Sequence, residues 1–172
     1  MRAIVLGTAF TIISSVARAQ QAAAPNPAPA LKVFTSSTDV AALVAKAKSE
    51  RRADQANFAQ PILQLAPYTA NLEYRVAGLN ANAAVHEREA ELFYVVDGSG
   101  TLVTGGKLRD ERRTNADNLQ GSGIEGGTSR RVAKGDFLIV PENTPHWFGE
   151  LDGALVLMSF HVPRAGNAGT AR

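Results

Sequence analysis

The rhythm of hydrophobic and polar positions divides the chain into three stretches. Ala3 to Val16 is an almost uninterrupted apolar run behind a short positive start, Met1-Arg2. Further on, Val40, Leu43, Val44 and Ala47 recur at helical spacing. With Ser37, Thr38 and Asp39 offering caps, they predict a helix as far as about Arg52. Its apolar stripe is narrow, so this helix should lie against a larger body. After Pro61 the pattern changes to short runs of Val, Leu, Phe and Tyr broken by Gly, Asn, Asp and Pro, which predicts an all-β sandwich or barrel. Strands are expected near 61–66, 70–77, 83–88, 91–96, 99–104, 129–133, 137–140, 145–150 and 153–162. Asp97-Gly98-Ser99-Gly100 predicts a tight hairpin turn between two of them. The glycine-rich stretch 105–129 reads as an elaborated surface hairpin. It lacks the strand–loop–helix context and the Gly-Lys-Ser/Thr of a phosphate-binding loop.

The first apolar run ends in Ala17-Arg18-Ala19, with small residues at the two positions a signal peptidase reads. Residues 1–19 are therefore expected to be a signal peptide, and the product periplasmic or secreted. A bilayer-spanning helix would need about 20 apolar residues. Residues 20–30, with Pro25, Pro27 and Pro29, read as an Ala/Pro-rich linker. The remaining divisions are a helical segment at 31–60, a barrel at 61–165 and a flexible tail at 166–172. Losing Arg2 and Arg18 brings the 18 basic residues of the 172-residue chain to 16, equal to its acidic count. That balance leaves no electrostatic footprint for nucleic acid or for an anionic membrane, so neither partner is expected. The absence of cysteine excludes disulfides, iron–sulfur clusters, thiolate zinc sites and a cysteine nucleophile.

Two segments carry candidate chemistry. In the first, His86 precedes Glu91, and Gly98 follows seven residues after that glutamate; in the second, Gly135, Pro141, Asn143 and His146 keep a fixed spacing. Together they resemble the two motifs of the cupin family, which implies an antiparallel jelly-roll barrel with a ligand or metal pocket at its centre. In the family a histidine pair precedes the glutamate, whereas here only His86 is present. If His86 is the second of the pair, Ala84 stands at the first position; if it is the first, Arg88 stands at the second. The resemblance then implies a metal set of His86, Glu91 and His146. Two imidazoles and a carboxylate suit a divalent ion such as Zn, Fe, Mn or Ni, and leave positions open for water or substrate.

Strand alternation puts Glu91, Phe93 and Val95 on one face and His146 with Phe148 on another. His86 and Glu91 are five apart, so they can face together only through a break at Glu87–Ala90. Arg88 reads as an outward, solvated arginine, with a substrate-carboxylate anchor as the inward alternative. His161 shares a strand face with Leu155, Leu157 and Ser159. It is the candidate catalytic acid–base residue, with completion of the metal set and a hydrogen-bonded core histidine as alternatives. Tyr68, Glu73, Tyr74 and Arg75 sit on early strands that could reach a pocket. These residues point to a metal-dependent enzyme acting on a small oxygen-rich molecule, of isomerase, lyase or dioxygenase type. The alternative is a non-catalytic barrel that binds a small molecule or metal, and a homodimer is compatible with either.

Overall fold

The computed structural model describes residues 31–79 and 81–164; the expected leader (1–19), linker (20–30) and tail (166–172) lie outside them. One helix, α1 (Ser37–Glu50), precedes β1 (Asn57–Leu65), β2 (Tyr68–Val76), β3 (Ala83–His86) and the long β4 (Glu89–Thr104). Then come β5 (Lys107–Arg109), β6 (Arg112–Arg113), β7 (Asn118–Gly121), β8 (Gly123–Glu125), β9 (Thr128–Ala133), β10 (Phe137–Val140) and the long β11 (His146–Pro163). Strand pairings are antiparallel throughout. The expected all-β class with one N-terminal helix is what forms.

β4 and β11 organise the sheet. They pair from Glu89 opposite Pro163 to Thr104 opposite His146, and their register slips where Gly98 and Gly100 meet Leu151 and Leu155. There the ribbon folds back on itself. Fifteen positions of straight strand would separate His146 from His161 by about 50 Å, yet both imidazoles reach Glu91. This corrects the hairpin expected at Asp97–Gly100. The two halves of β4 do not pair with each other; both pair with β11. Gly98 is required because its φ is +81° and a Cβ there would overlap the Ala154 carbonyl. The glycine serves a close approach of two backbones, not a two-residue loop.

β2 pairs with the far half of β11, and β1 pairs with β2; β10 and β9 pair with the two halves of β4. The 105–129 stretch is more than a surface hairpin. β5 and β8 form a small separate sheet, but β7 pairs with β3 and so joins the main sheet, with β6 beyond it. These strands are short and polar, which is why alternation did not reveal them.

Strand parity sorts the core into two layers. Phe93, Val95, Leu102, Val132, Val140, Phe148, Leu155 and Leu157 fill the interior. On the other face, Ile62, Ala70, Leu72 and Val156 meet Val40, Leu43 and Val44 of α1, the larger body that the narrow helical stripe anticipated. The helix cap is Ser36, one residue before the expected trio. Its Oγ accepts from the Asp39 amide at 3.1 Å, and its own amide donates to the Asp39 carboxylate at 3.1 Å. On the inner face of β2, Arg75 donates to Glu73 Oε2 from Nε (2.8 Å) and Nη2 (2.6 Å), and Asn57 donates to the same oxygen at 3.0 Å. The Arg75 guanidinium also lies over the Phe148 ring, 5.0 Å from its centroid.

Candidate metal centre

All three histidines of the chain surround one carboxylate. Glu91, 4% exposed, lies on the inner face of β4 with Phe93 and Val95, as alternation predicted. Its Oε2 is 3.3 Å from His86 Nε2 and 3.1 Å from His146 Nε2, while Oε1 is 3.3 Å from His161 Nε2. His86 ends β3, and the strand breaks at Glu87–Arg88 before β4 begins, which turns His86 and Glu91 to the same side. His146 opens β11 and is buried beside Phe93, with ring centroids 6.1 Å apart. The turn before it is held by Asn143, whose φ of +55° asparagine tolerates, and whose amide donates to the His86 carbonyl at 2.7 Å. His161 stands directly opposite Glu91 in the β4–β11 ladder. Its ring meets that of His86 edge-on, 4.8 Å between centroids.

The other ring nitrogens also have partners. His86 Nδ1 is 2.6 Å from Asn118 Oδ1, and that amide is oriented by its own Nδ2 donating to Asn115 at 3.0 Å. His146 Nδ1 is 3.2 Å from the Thr144 carbonyl. Both partners only accept, so each Nδ1 carries the hydrogen, and each ring in its neutral form turns an Nε2 lone pair toward Glu91. Lone pairs facing a carboxylate repel unless a cation lies between them. A metal-bound histidine has this arrangement, its far nitrogen donating to an oxygen while the near one coordinates. Ligand atoms of His86, Glu91 and His146 lie within 4.8 Å of one another. The donor set therefore fits a divalent ion.

Without an ion, protons do the same work. Burial disfavours a charged His86 ring, but the hydrogen bond and charge of Glu91, aided by Asn118, outweigh it and raise its pKa above the ordinary 6.5. Burial alone would also push the Glu91 carboxyl up. Hydrogen bonds from His146 and His86, with the charges of His146 and His161, reverse this and hold it far below the ordinary 4.5. A raised His86 stabilises the fold fully below about pH 6.5, and that contribution is lost as pH climbs through its folded value. A depressed Glu91 contributes above about pH 4.5 and fails only in stronger acid. Metal-free protein should thus lose stability as pH rises from about 6.5 into the alkaline range. Metal-loaded protein should not, because coordination takes deprotonated rings. Thermal melts of both forms across that range will show the two trends diverging.

The family model for cupins matches residues 51–172. The chain belongs to the cupin family. Its antiparallel fold is the jelly roll that the two motifs implied. No curated protein matches the sequence. Among solved structures, FeII HppE is 14% identical at a TM-score of 0.48, covering 62% of this cupin and 51% of that chain. The chain thus spans about half the length of HppE. KdgF from a Halomonas species is 17% identical at 0.46, covering 66% and 86%. An uncharacterised conserved protein with a double-stranded β-helix domain from Klebsiella pneumoniae is 15% identical at 0.48, covering 69% and 85%.

The structure also resolves the register of this cupin's first motif. Ala84 shares the face of His86 and pairs with His146 across β3 and β11. Arg88 points away, 62% exposed and 2.9 Å from Asp117. His86 is therefore the second of the family's pair, and Ala84 occupies the place of the first. Of the early-strand candidates, Glu73 and Arg75 face inward, Tyr74 joins the layer under α1, and Tyr68 is exposed. Sequence reasoning missed Asn118 and Glu89, the latter 3.1 Å from His161 Nδ1. Both line a cavity of about 240 Å³ with Arg88 and Asp117. Asn118 lies on β7 in the stretch read as a surface hairpin, and nothing in its local pattern marks it.

Proposed function

We propose that this cupin holds one divalent ion (iron, manganese, zinc or nickel) at His86, Glu91 and His146. We further propose that it acts outside the cytoplasm on a small oxygen-rich molecule, in a reaction of isomerase, lyase or dioxygenase type. One observation carries the reading: two imidazoles, each with Nδ1 committed to an oxygen, aim Nε2 at the same buried carboxylate oxygen. When bound, such an ion polarises a carbonyl or steadies enolate-like charge. The chain's own residues hold and orient. Buried Phe93 packs beside His146 on the apolar side of the centre. A proton on His161 has a carboxylate at either end of the ring, Glu89 at Nδ1 and Glu91 at Nε2. That same engagement favours the second reading, a non-catalytic metal- or small-molecule-binding barrel, since neither nitrogen of His161 is free to meet a substrate.

The apolar run and Ala17-Arg18-Ala19 support export. Protein taken from the exported fraction should begin at Gln20 and carry one metal ion per chain by elemental analysis. His86→Ala and His146→Ala should each lose it while keeping the β-rich circular dichroism spectrum. A folded wild-type protein without metal, or either variant retaining it, overturns the proposal.

A further inference from the structure

His161 lies outside both motifs, yet its surroundings repeat those of the other two rings. Its Nδ1 is 3.1 Å from Glu89 Oε2, and its Nε2 is 3.3 Å from Glu91 Oε1. Around Glu91 there are thus three imidazoles whose Nδ1 atoms face an amide oxygen, a main-chain carbonyl and a carboxylate. All three Nε2 atoms stand 3.1–3.3 Å from one carboxylate. A neutral core histidine held by hydrogen bonds needs a donor facing its second nitrogen. Among the described residues none of the three Nε2 atoms has one. An acid–base histidine needs a nitrogen free for the substrate, and His161 has both occupied.

The strand ladder explains the repetition. Ala84 sits on the face of His86 and opposite His146, so the β3 wall offers a methyl group where another ligand would fit. His161, opposite Glu91 on β11, brings an imidazole from the other wall. His86, Glu89 and His161 bring ligand atoms within 4.8 Å of one another as a grouping separate from His86, Glu91 and His146, so an ion shared by all three rings would draw His161 toward His146. A separate second ion there would need His86 to serve both, and His86 has only Nε2 to give, because Nδ1 is held by Asn118.

We propose that His161 is a third imidazole ligand of the centre. The site is then three histidines and Glu91, with the final strand supplying what Ala84 lacks, and Glu89 is a positioning residue that fixes the His161 tautomer. This rests on the metal reading above and adds a ligand to it, in place of the acid–base role expected of His161.

The test is to load the mature protein with Co²⁺, measure cobalt per chain, and count exchangeable, hyperfine-shifted imidazole N–H protons by ¹H NMR. Each ring bound through Nε2 gives one. Wild type should show three with one cobalt. His161→Gln should show two, with cobalt held at least about 10–100-fold more weakly, the range that loss of a mere orienting partner costs. Ala84→His in the His161→Gln background should restore the third signal. Two signals in wild type, unchanged in His161→Gln with one cobalt still bound, would overturn the role of His161 and leave the metal reading standing. A folded wild type that takes up no cobalt overturns both, and two cobalt ions per chain overturn the single centre. The wild-type count decides even if His161→Gln does not fold.

Discussion

Glutamine in place of Glu91 is expected to release the metal without unfolding the protein. The side chain is buried and nearly isosteric with its replacement, so packing with Phe93 is kept. Its charge is lost, and the new amide nitrogen donates to imidazole lone pairs that previously required a cation. The variant would satisfy in itself what the proposed ion satisfies. Losing a partner that only orients a ligand costs up to about 100-fold in affinity, so losing the carboxylate at the focus should cost at least that. Competition with a chelator of known affinity measures it, together with loss of the metal-dependent rise in melting temperature. An unchanged affinity would remove Glu91 from the centre.

The second large effect belongs to stability. Glu73→Ala should destabilise the metal-free fold by about 3–5 kcal/mol, because it leaves the Arg75 guanidinium buried without its carboxylate. Asn57 loses the same acceptor. The side chains of Glu73 and Arg75 are only 8% and 13% exposed, so water does little to compensate. A drop of roughly 10–20 °C in melting temperature follows for a domain of this size. Replacing both partners with apolar residues of similar volume should be far milder, since the cost lies in the orphaned charge more than in the lost attraction. Equal losses in the single and double variants would show that packing around Phe148 dominates instead.

Much of this was legible in the residues. Alternation along β4 and β11 placed Glu91 with Phe93 and Val95, and His161 with Leu155, Leu157 and Ser159, because a period of two survives wherever both faces are covered. The break between His86 and Glu91 followed from their odd spacing. The fold-back of β4 against β11 was not legible. A glycine at positive φ looks the same in a hairpin turn and in a bulge opposite a neighbouring backbone, and only the partner strand tells them apart. Nor could one strand's pattern show that β7 pairs with β3, so Asn118, which fixes the His86 tautomer, went unseen. His161 was visible as a residue but not as a neighbour of Glu91, since that proximity comes from ladder register.

The ribbon of β4 and β11 is bent double, and its two ends meet at Glu91. An ion held there by His86, Glu91, His146 and His161 would close chain loops of tens of residues, as a covalent cross-link does. Closing loops of that length removes entropy from the unfolded chain. Ligation at a thousand times its dissociation constant adds about 4 kcal/mol to the folded state. In a protein without one cysteine, the centre would be the reversible counterpart of a disulfide.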